Sequence, residues 1–260
     1  MSSDFDIAAQ EYDRHFSFSE IGKAQRERVY HFLEKELLSG KESLHILELN
    51  CGTGEDAQYL MQKGHSIIAT DISAGMIAQA KQKYGKSIHF EIQDINTITA
   101  NTFSKPFDLI FSNFGGLNCL SPQQLQSFLS IAPHLLKPSG SLSLVIMPKS
   151  CLWERVYFLA KAIPNKAFRR NTKQAVLANV DGVDVATWYY NPSQLKKWGA
   201  LYFKATSVAP IGIAVPPSYL EPFFKNKKAI LKFLKKAETY LTSSLWAPYA
   251  DHYMIHLQKK

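Results

Sequence analysis

Two rhythms of apolar residues alternate along the first part of the chain. Short apolar runs of strand type fall at Leu44–Asn50, Ser66–Asp71, Ile88–Ile92, Phe107–Ser112 and Ser141–Met147. Between and before them lie segments of helical period. Ile21–Leu38 turns Val29, Phe32, Leu33 and Leu37 inward. Glu55–Lys63, Ala74–Tyr84 and a stretch from Pro122 to Leu136 follow the same spacing. Punctuation supports these bounds: Gly40, Gly64 and Gly85 close helices, Ser73 is placed to cap one, and Lys137-Pro138-Ser139-Gly140 predicts a turn. Regular alternation of strand and helix predicts a parallel sheet covered by helices on both faces.

Past Met147 the rhythm changes. Cys151–Thr187 is aromatic and basic, Pro192–Trp198 predicts a short helix and Leu201–Ala209 a strand. Ile211–Ala250 holds Pro216, Pro217, Pro222 and a lysine-rich helix, and His252–Gln258 predicts a closing strand. The two interruptions predict caps over the sheet edge. The expected organisation is one domain over residues 1–260. It has an N-terminal helical lid (1–40), a core (41–149) and substrate-cap insertions (150–190 and 211–250).

The chemistry concentrates in HILELNCGTGED, residues 45–56. A strand, a turn with Gly52 and Gly54, and a helix N-terminus make a nucleotide-type site, because glycine lets backbone approach a ligand. The next strand ends in Asp71, placed to accept from both ribose hydroxyls. Right-handed crossovers put all strand C-termini on one edge, which gathers Asn50, Asp71, Asp94 and Asn113.

Composition narrows the class. The apolar fraction of 46% is that of a globular protein, and no apolar run approaches the ~20 residues of a bilayer span. The acidic N-terminus lacks the apolar core of a signal peptide. Cys51, Cys119 and Cys151 are far apart and odd in number, so the expectation is a reduced, cytoplasmic protein without a metal site. Net charge is +8, much of it in Lys225–Lys236, where Ile230, Leu231, Leu234, Ala237 and Leu241 share one face. The plain expectation is a solvated helix face, the alternative a surface for an acidic partner.

These residues carry a resemblance. Leu47–Ala57 followed by ATDISAGMIAQA resembles the class I S-adenosylmethionine-dependent methyltransferases, and in particular their small-molecule "type 11" branch. The likeness runs from FDIAAQEYD at Phe5 to Met147, and more loosely to DHYMIHL near the end. It implies a Rossmann-like doubly wound, seven-stranded, mostly parallel α/β sheet with the last strand antiparallel. It also implies S-adenosyl-L-methionine as cofactor and S-adenosyl-L-homocysteine as product. Glu48 looks like the acid opening the family's glycine motif, and Gly52 and Gly54 like its later glycines against the methionyl part. Asp71 looks like the ribose acid, with Ile72 and Met76 beside the adenine. Asp94 resembles the acid on the adenine amino group, with Ile95 next to it. Asn113 and Phe114 resemble the segment facing methyl donor and acceptor, Tyr12 a closing tyrosine, and Arg26 an arginine for the cofactor carboxylate. Asn50 stands where the family usually has glycine. Asparagine tolerates left-handed backbone, and its side chain is placed to bond the cofactor's methionyl end.

The resemblance implies methyl transfer to a small molecule, with a hydroxyl oxygen as the expected acceptor. A nucleic-acid or protein substrate and a non-catalytic cofactor-binding protein are the alternatives. Against nucleic acid, Ser112-Asn113-Phe114-Gly115-Gly116 lacks the prolines of amino-directed DNA methyltransferases. Trp153, Tyr157 and Tyr189 are the cap aromatics expected at a substrate. No strong base motif is visible. His15 and His252 are the histidines to examine as general bases.

Overall fold

The computed structural model describes residues 17–38, 43–180 and 183–260. Helix α1 (Glu20–Leu33) passes into a π-helical turn, Glu34–Leu38. Then follow β1 (His45–Leu49), α2 (Glu55–Gln62), β2 (Ser66–Asp71), α3 (Ala74–Tyr84), β3 (His89–Ile92), β4 (Phe107–Ser112), α4 (Pro122–Leu135) and β5 (Leu136–Ile146). The cap region supplies α5 (Leu152–Ala160), α6 (Pro164–Ala167) and a hairpin of β6 (Val176–Val180) and β7 (Val183–Thr187). Last come α7 (Pro192–Gly199), β8 (Phe203–Ile211), α8 (Glu221–Phe224), α9 (Lys228–Tyr240) and β9 (His252–Lys259).

Seven strands form one sheet in the order β3-β2-β1-β4-β5-β9-β8. β1 pairs in parallel with β2 and β4, while β9 runs antiparallel to both its neighbours. The fold class implied by the resemblance is therefore the one observed. Burial on both faces explains the near-continuous apolar strands. One face packs Leu47, Ile110, Leu144 and Ile255 against α4 residues, and the other packs Ile46, Leu109, Val145 and Met254 against α1, α2 and α3.

Capping fixes the helices. Ser73 Oγ accepts from Met76 N at 3.1 Å, and Ser121 forms a reciprocal box with Gln124 behind Pro122. At α1, Ser19 Oγ accepts from Gly22 N, and a remote carboxylate, Glu221, takes the N–H groups of Glu20 and Ile21.

Two expectations on elements change, and one hairpin was not expected. The Lys137–Gly140 turn lies inside β5: Phe107 pairs with Leu136 and Leu109 with Ser141, so the turn is a bulge in a longer strand. The hairpin of β6 and β7 carries no period strong enough to separate it from loop. The lysine helix buries Leu231 and Glu238, whereas Ile230 is half exposed. Both Glu238 carboxylate oxygens accept from consecutive backbone N–H groups, those of Gly212, Ile213, Ala214 and Val215, at 2.6–3.2 Å. That acid, rather than a full apolar stripe, holds the helix down.

Candidate functional site: a cleft at the carboxyl edge of the sheet

β1 ends against a turn that needs left-handed backbone. Asn50 has φ 54°, Gly52 φ 53° and Gly54 φ 85°. At Gly54 the requirement is also steric, since a Cβ would fall 2.9 Å from the Phe90 ring. Asp71, at the end of β2, ties this turn to the next one. Its Oδ2 accepts from Gly52 N and its Oδ1 from Ser73 N, both at 2.9 Å. These two bonds orient the Asp71 carboxylate at the end of β2. That pattern fits a ribose diol.

Asp56, in the first turn of α2, is the hub of the cleft. It lies 2.7 Å from Arg26 Nη1, accepts from Tyr30 Oη at 2.7 Å, and accepts from Asn113 Nδ2 at 3.1 Å. The Arg26 guanidinium also sits 5.3 Å over the Phe114 ring. Burial and the nearby Asp56 raise the Tyr30 pKa, so its hydroxyl stays a donor. Glu48 lies buried below. Burial first, then Asp56 and Asp71, push its pKa well above the ordinary carboxyl range. Its Oε2 has no hydrogen-bond partner among the described residues. A buried neutral carboxyl with an open oxygen fits a polar ligand group at the floor of the cleft.

Ser17, Arg26, Asn50, Cys51, Gly52, Thr53, Glu55, Asp56, Asn113 and Phe114 line a narrow cleft. The structure thus brings Arg26, Asn50, Gly52, Asn113 and Phe114 together, with Glu48, Gly54 and Asp71 packed against them. The Asn50 side chain turns toward β4, where its Oδ1 accepts from Ser112 Oγ at 3.3 Å. Met76 is buried at the start of α3, and Ile72 is half-buried beside Asp71. Asp94 lies off this cleft: its Oδ1 caps the Ile95–Thr97 turn through Asn96 N at 2.8 Å. Ile95 is buried in the core behind it. Tyr12 and His15 lie outside the described residues.

The cap aromatics point elsewhere. Trp153 donates from Nε1 to Ala214 O at 3.1 Å and meets Phe224 edge-on, and Tyr157 packs on the same cluster. Tyr189 is buried with the Arg170 guanidinium 5.2 Å over its ring.

A second polar cluster borders the cleft. Arg170 Nη2 lies 2.7 Å from Asp251 Oδ1 and 2.8 Å from Glu154 Oε1, and Arg169 pairs with the same Glu154 oxygen at 2.6 Å. Burial works to raise the Asp251 pKa, but His252 and Arg170 outweigh it and hold the group below the ordinary carboxylate range. His252 follows directly and meets Phe114 edge-on at 5.5 Å. Sequence reasoning picked out His252 but missed Asp56, Asp251, Arg170 and Glu154. For Asp56 there was a signal, an acid in the first turn after the glycine turn. The other three show no spacing that links them, since a helix, a turn and the segment just before β9, far apart in sequence, bring them together. Among the described residues no group of three or more His, Cys, Asp or Glu has the arrangement of a metal site, and no helix is long and apolar enough to cross a membrane.

A family model described as a methyltransferase domain matches residues 46–140. The malonyl-[acyl-carrier protein] O-methyltransferase of Salmonella typhimurium is 27% identical over 150 residues, 58% of this chain and 54% of that protein. The chain spans about half the length of the curated relatives it matches, or less. Among solved structures, the DhpI–SAH complex superposes with a TM-score of 0.62 at 16% identity, covering 98% of this chain and 93% of that one. Magnesium protoporphyrin IX methyltransferase from Synechocystis, with bound SAH, gives 0.55 at 14% identity, covering 92% and 83%. Residues 46–140 thus match a methyltransferase domain, and the sheet order around the glycine turn is that of the Rossmann-like methyltransferase fold.

Proposed function

We propose that the protein transfers a methyl group from S-adenosylmethionine to a small-molecule acceptor, with a hydroxyl oxygen as the acceptor atom. The observation that carries the reading is the clasp of Asp71 on Gly52 and Ser73 at the strand edge, beside the cleft built around Asp56. Asp71 would hold the ribose, with Ile72 and Met76 near the adenine and Asp94 and Ile95 at its far side. Gly52, Gly54, Glu48, Asn50 and Arg26 would hold the methionyl end, while Asn113 and Phe114 face the reacting groups. Tyr12 would close over the site from the lid. When bound, the cofactor supplies an activated methyl on a sulfonium.

The chain's own residues then have two tasks. They align the acceptor, which supplies roughly 7–11 kcal/mol of barrier reduction, and they keep water out. Phe114, which lines the cleft, serves the second task. Support for oxygen comes from relatives named as O-methyltransferases.

Calorimetry with S-adenosylhomocysteine tests the cofactor reading. The wild-type protein should bind, and Asp71→Ala should weaken binding by ~1 kcal/mol or more for each lost hydrogen bond. Unchanged affinity in that variant would remove the ribose assignment. Methyl transfer from labelled cofactor to a metabolite extract, read by mass spectrometry, identifies the acceptor.

A further inference from the structure

We propose that His252 is the general base that takes the proton from the acceptor hydroxyl, and that the buried carboxylate of Asp251, tethered to the cap by Arg170, positions it. The proposal rests on the methyl-transfer reading above and names the acceptor class that the site requires, an un-ionised hydroxyl.

Strand direction puts His252 in place. β1, β4 and β5 end at the ligand edge, and β9 runs opposite to them, so β9 begins there. Tyr253 pairs with Ile146, the last residue of β5, and His252 pairs with Ile211. The His252 ring meets Phe114 at 86°, and Phe114 lines the cleft.

The two ring nitrogens differ. Nδ1 is sealed and lies 3.3 Å from Asp251 Oδ2 in a bent approach. A carboxylate beside Nδ1 favours the tautomer with its proton there, which leaves the Nε2 lone pair to accept. Asp251 is held on all sides. Arg170 Nη2 donates to Oδ1 at 2.7 Å and Nη1 to the backbone oxygen at 2.8 Å, and Gln25 Nε2 from α1 donates to Oδ2 at 3.1 Å. Glu154 of α5 fixes Arg170 in turn. The charged groups around the histidine are thus Asp251, Arg170, Glu154 and Arg169 from the cap side. Arg26 and its partner Asp56 stand across Phe114.

The step balances. The hydroxyl proton moves to Nε2 while the oxygen forms its bond to the methyl carbon, and the carbon–sulfur bond breaks with its electron pair left on sulfur. The imidazolium then loses its proton to solvent. An acceptor that arrives as an ionised carboxylate needs no such base, so a working His252 distinguishes ether-forming from ester-forming transfer.

Nuclear magnetic resonance on protein labelled with ¹⁵N in its histidines, with His252→Gln to identify the signal, reads the tautomer. In the neutral ring the proton is expected on Nδ1, and the reverse tautomer would overturn the proposal. Turnover is then followed with radiolabelled cofactor on the extract fraction that accepts label. His252→Gln should lower kcat by ~10²–10⁴-fold while S-adenosylhomocysteine affinity stays within about twofold. A kcat loss under about threefold would sink the base. Asp251→Asn should move the acid limb of the pH–rate profile, and Asp251→Glu should restore it in part; a profile unmoved by Asp251→Asn would remove the positioning role. Labelled product should resist mild alkali, as a methyl ether does, whereas release of labelled methanol would mean an ester and a wrong acceptor class. Failure of the wild-type protein to bind S-adenosylhomocysteine would overturn the methyl-transfer reading instead, which the tautomer does not touch.

Discussion

Asn50 and Gly116 share one space: a Cβ added to Gly116 would fall 2.4 Å from both Cβ and Cγ of Asn50. The side chain at position 50 lies over the backbone at position 116, where the chain leaves β4. An asparagine fits in the glycine turn because a glycine faces it. Gly116→Ala should therefore destabilise by about 1–3 kcal/mol through overpacking. Asn50→Gly should recover most of that in the double variant, a coupling expected of residues in contact. Urea denaturation of the two single variants and the double closes the cycle, and simple additivity would show that the pair is not coupled.

Asp56 joins α1, α2 and the end of β4 through Arg26, Tyr30 and Asn113. Asp56→Ala leaves the Arg26 charge without its carboxylate in a place where both side chains are about nine-tenths covered. Removal of one partner from a buried pair costs roughly 3–5 kcal/mol. The denaturation midpoint should fall sharply, and cofactor affinity with it. A fall in affinity without loss of stability would mean that Asp56 serves the ligand alone.

Glu48 gives a pH signature of definite sign. Its folded pKa is raised by burial and by Asp56, so the folded chain keeps a proton that the unfolded chain loses near pH ~4.3. Its contribution is full below that value and is lost as pH rises toward the folded pKa. Glu48→Gln should abolish this decline, so the variant gains on the wild type as pH rises from about 4.5 toward neutrality. Denaturation midpoints at several pH values would show it, and parallel curves for the two proteins would contradict the assignment.

Buried Asp251 acts in the opposite direction. Its folded pKa is lowered, so its contribution is present above the unfolded value of ~3.9 and lost as pH falls toward the folded one. Asp251→Asn should destabilise at neutral pH and less in acid. Thermal unfolding at pH ~7 and pH ~3 tests this, and an equal loss at both would point to packing rather than charge.

The lysines of α9 should matter little to a small substrate. Lys235 meets Glu27 at 3.1 Å in a largely exposed pair, and Lys227 lies over the Phe223 ring. Such contacts are worth ~0–1 kcal/mol. Charge reversal at Lys228, Lys232 and Lys236 should leave turnover of a small acceptor within about twofold at physiological salt. A large, salt-dependent loss would favour an acidic or polymeric partner.

The sequence disclosed most of what the core strands do, because a doubly buried parallel strand such as Leu109–Phe111 is apolar without a break, and Ile46–Leu49 is broken at Glu48 alone. Its turn chemistry was equally plain in Gly52, Gly54, Ser73 and Pro122. Less legible were features made by pairs remote in sequence. Glu221 caps a helix some 200 positions away, and Glu238 grips four amides of another loop. The lysine helix drew attention by charge, while the acid on its hidden side does the anchoring. At the site, the cofactor-type residues cluster in one short segment, where local spacing is informative. Asp251 and Arg170 meet across 81 positions, and no local pattern announces such a contact.

The antiparallel β9 also sets an order of assembly. β8 finds its sheet neighbour in β9, and β9 lies between β8 and β5. A chain emerging from the ribosome can join β3, β2, β1, β4 and β5 from contacts of modest sequence separation. β8, though made earlier than β9, must then wait at the side without a ladder. The pairing of β5 with β9 joins residues farther apart in sequence than any pairing among β3, β2, β1, β4 and β5, and such pairings close slowly. During that wait the edge of β5 is open, and His252 has not reached the cleft. The cofactor side of the protein can therefore become ordered before the side that would accept the proton.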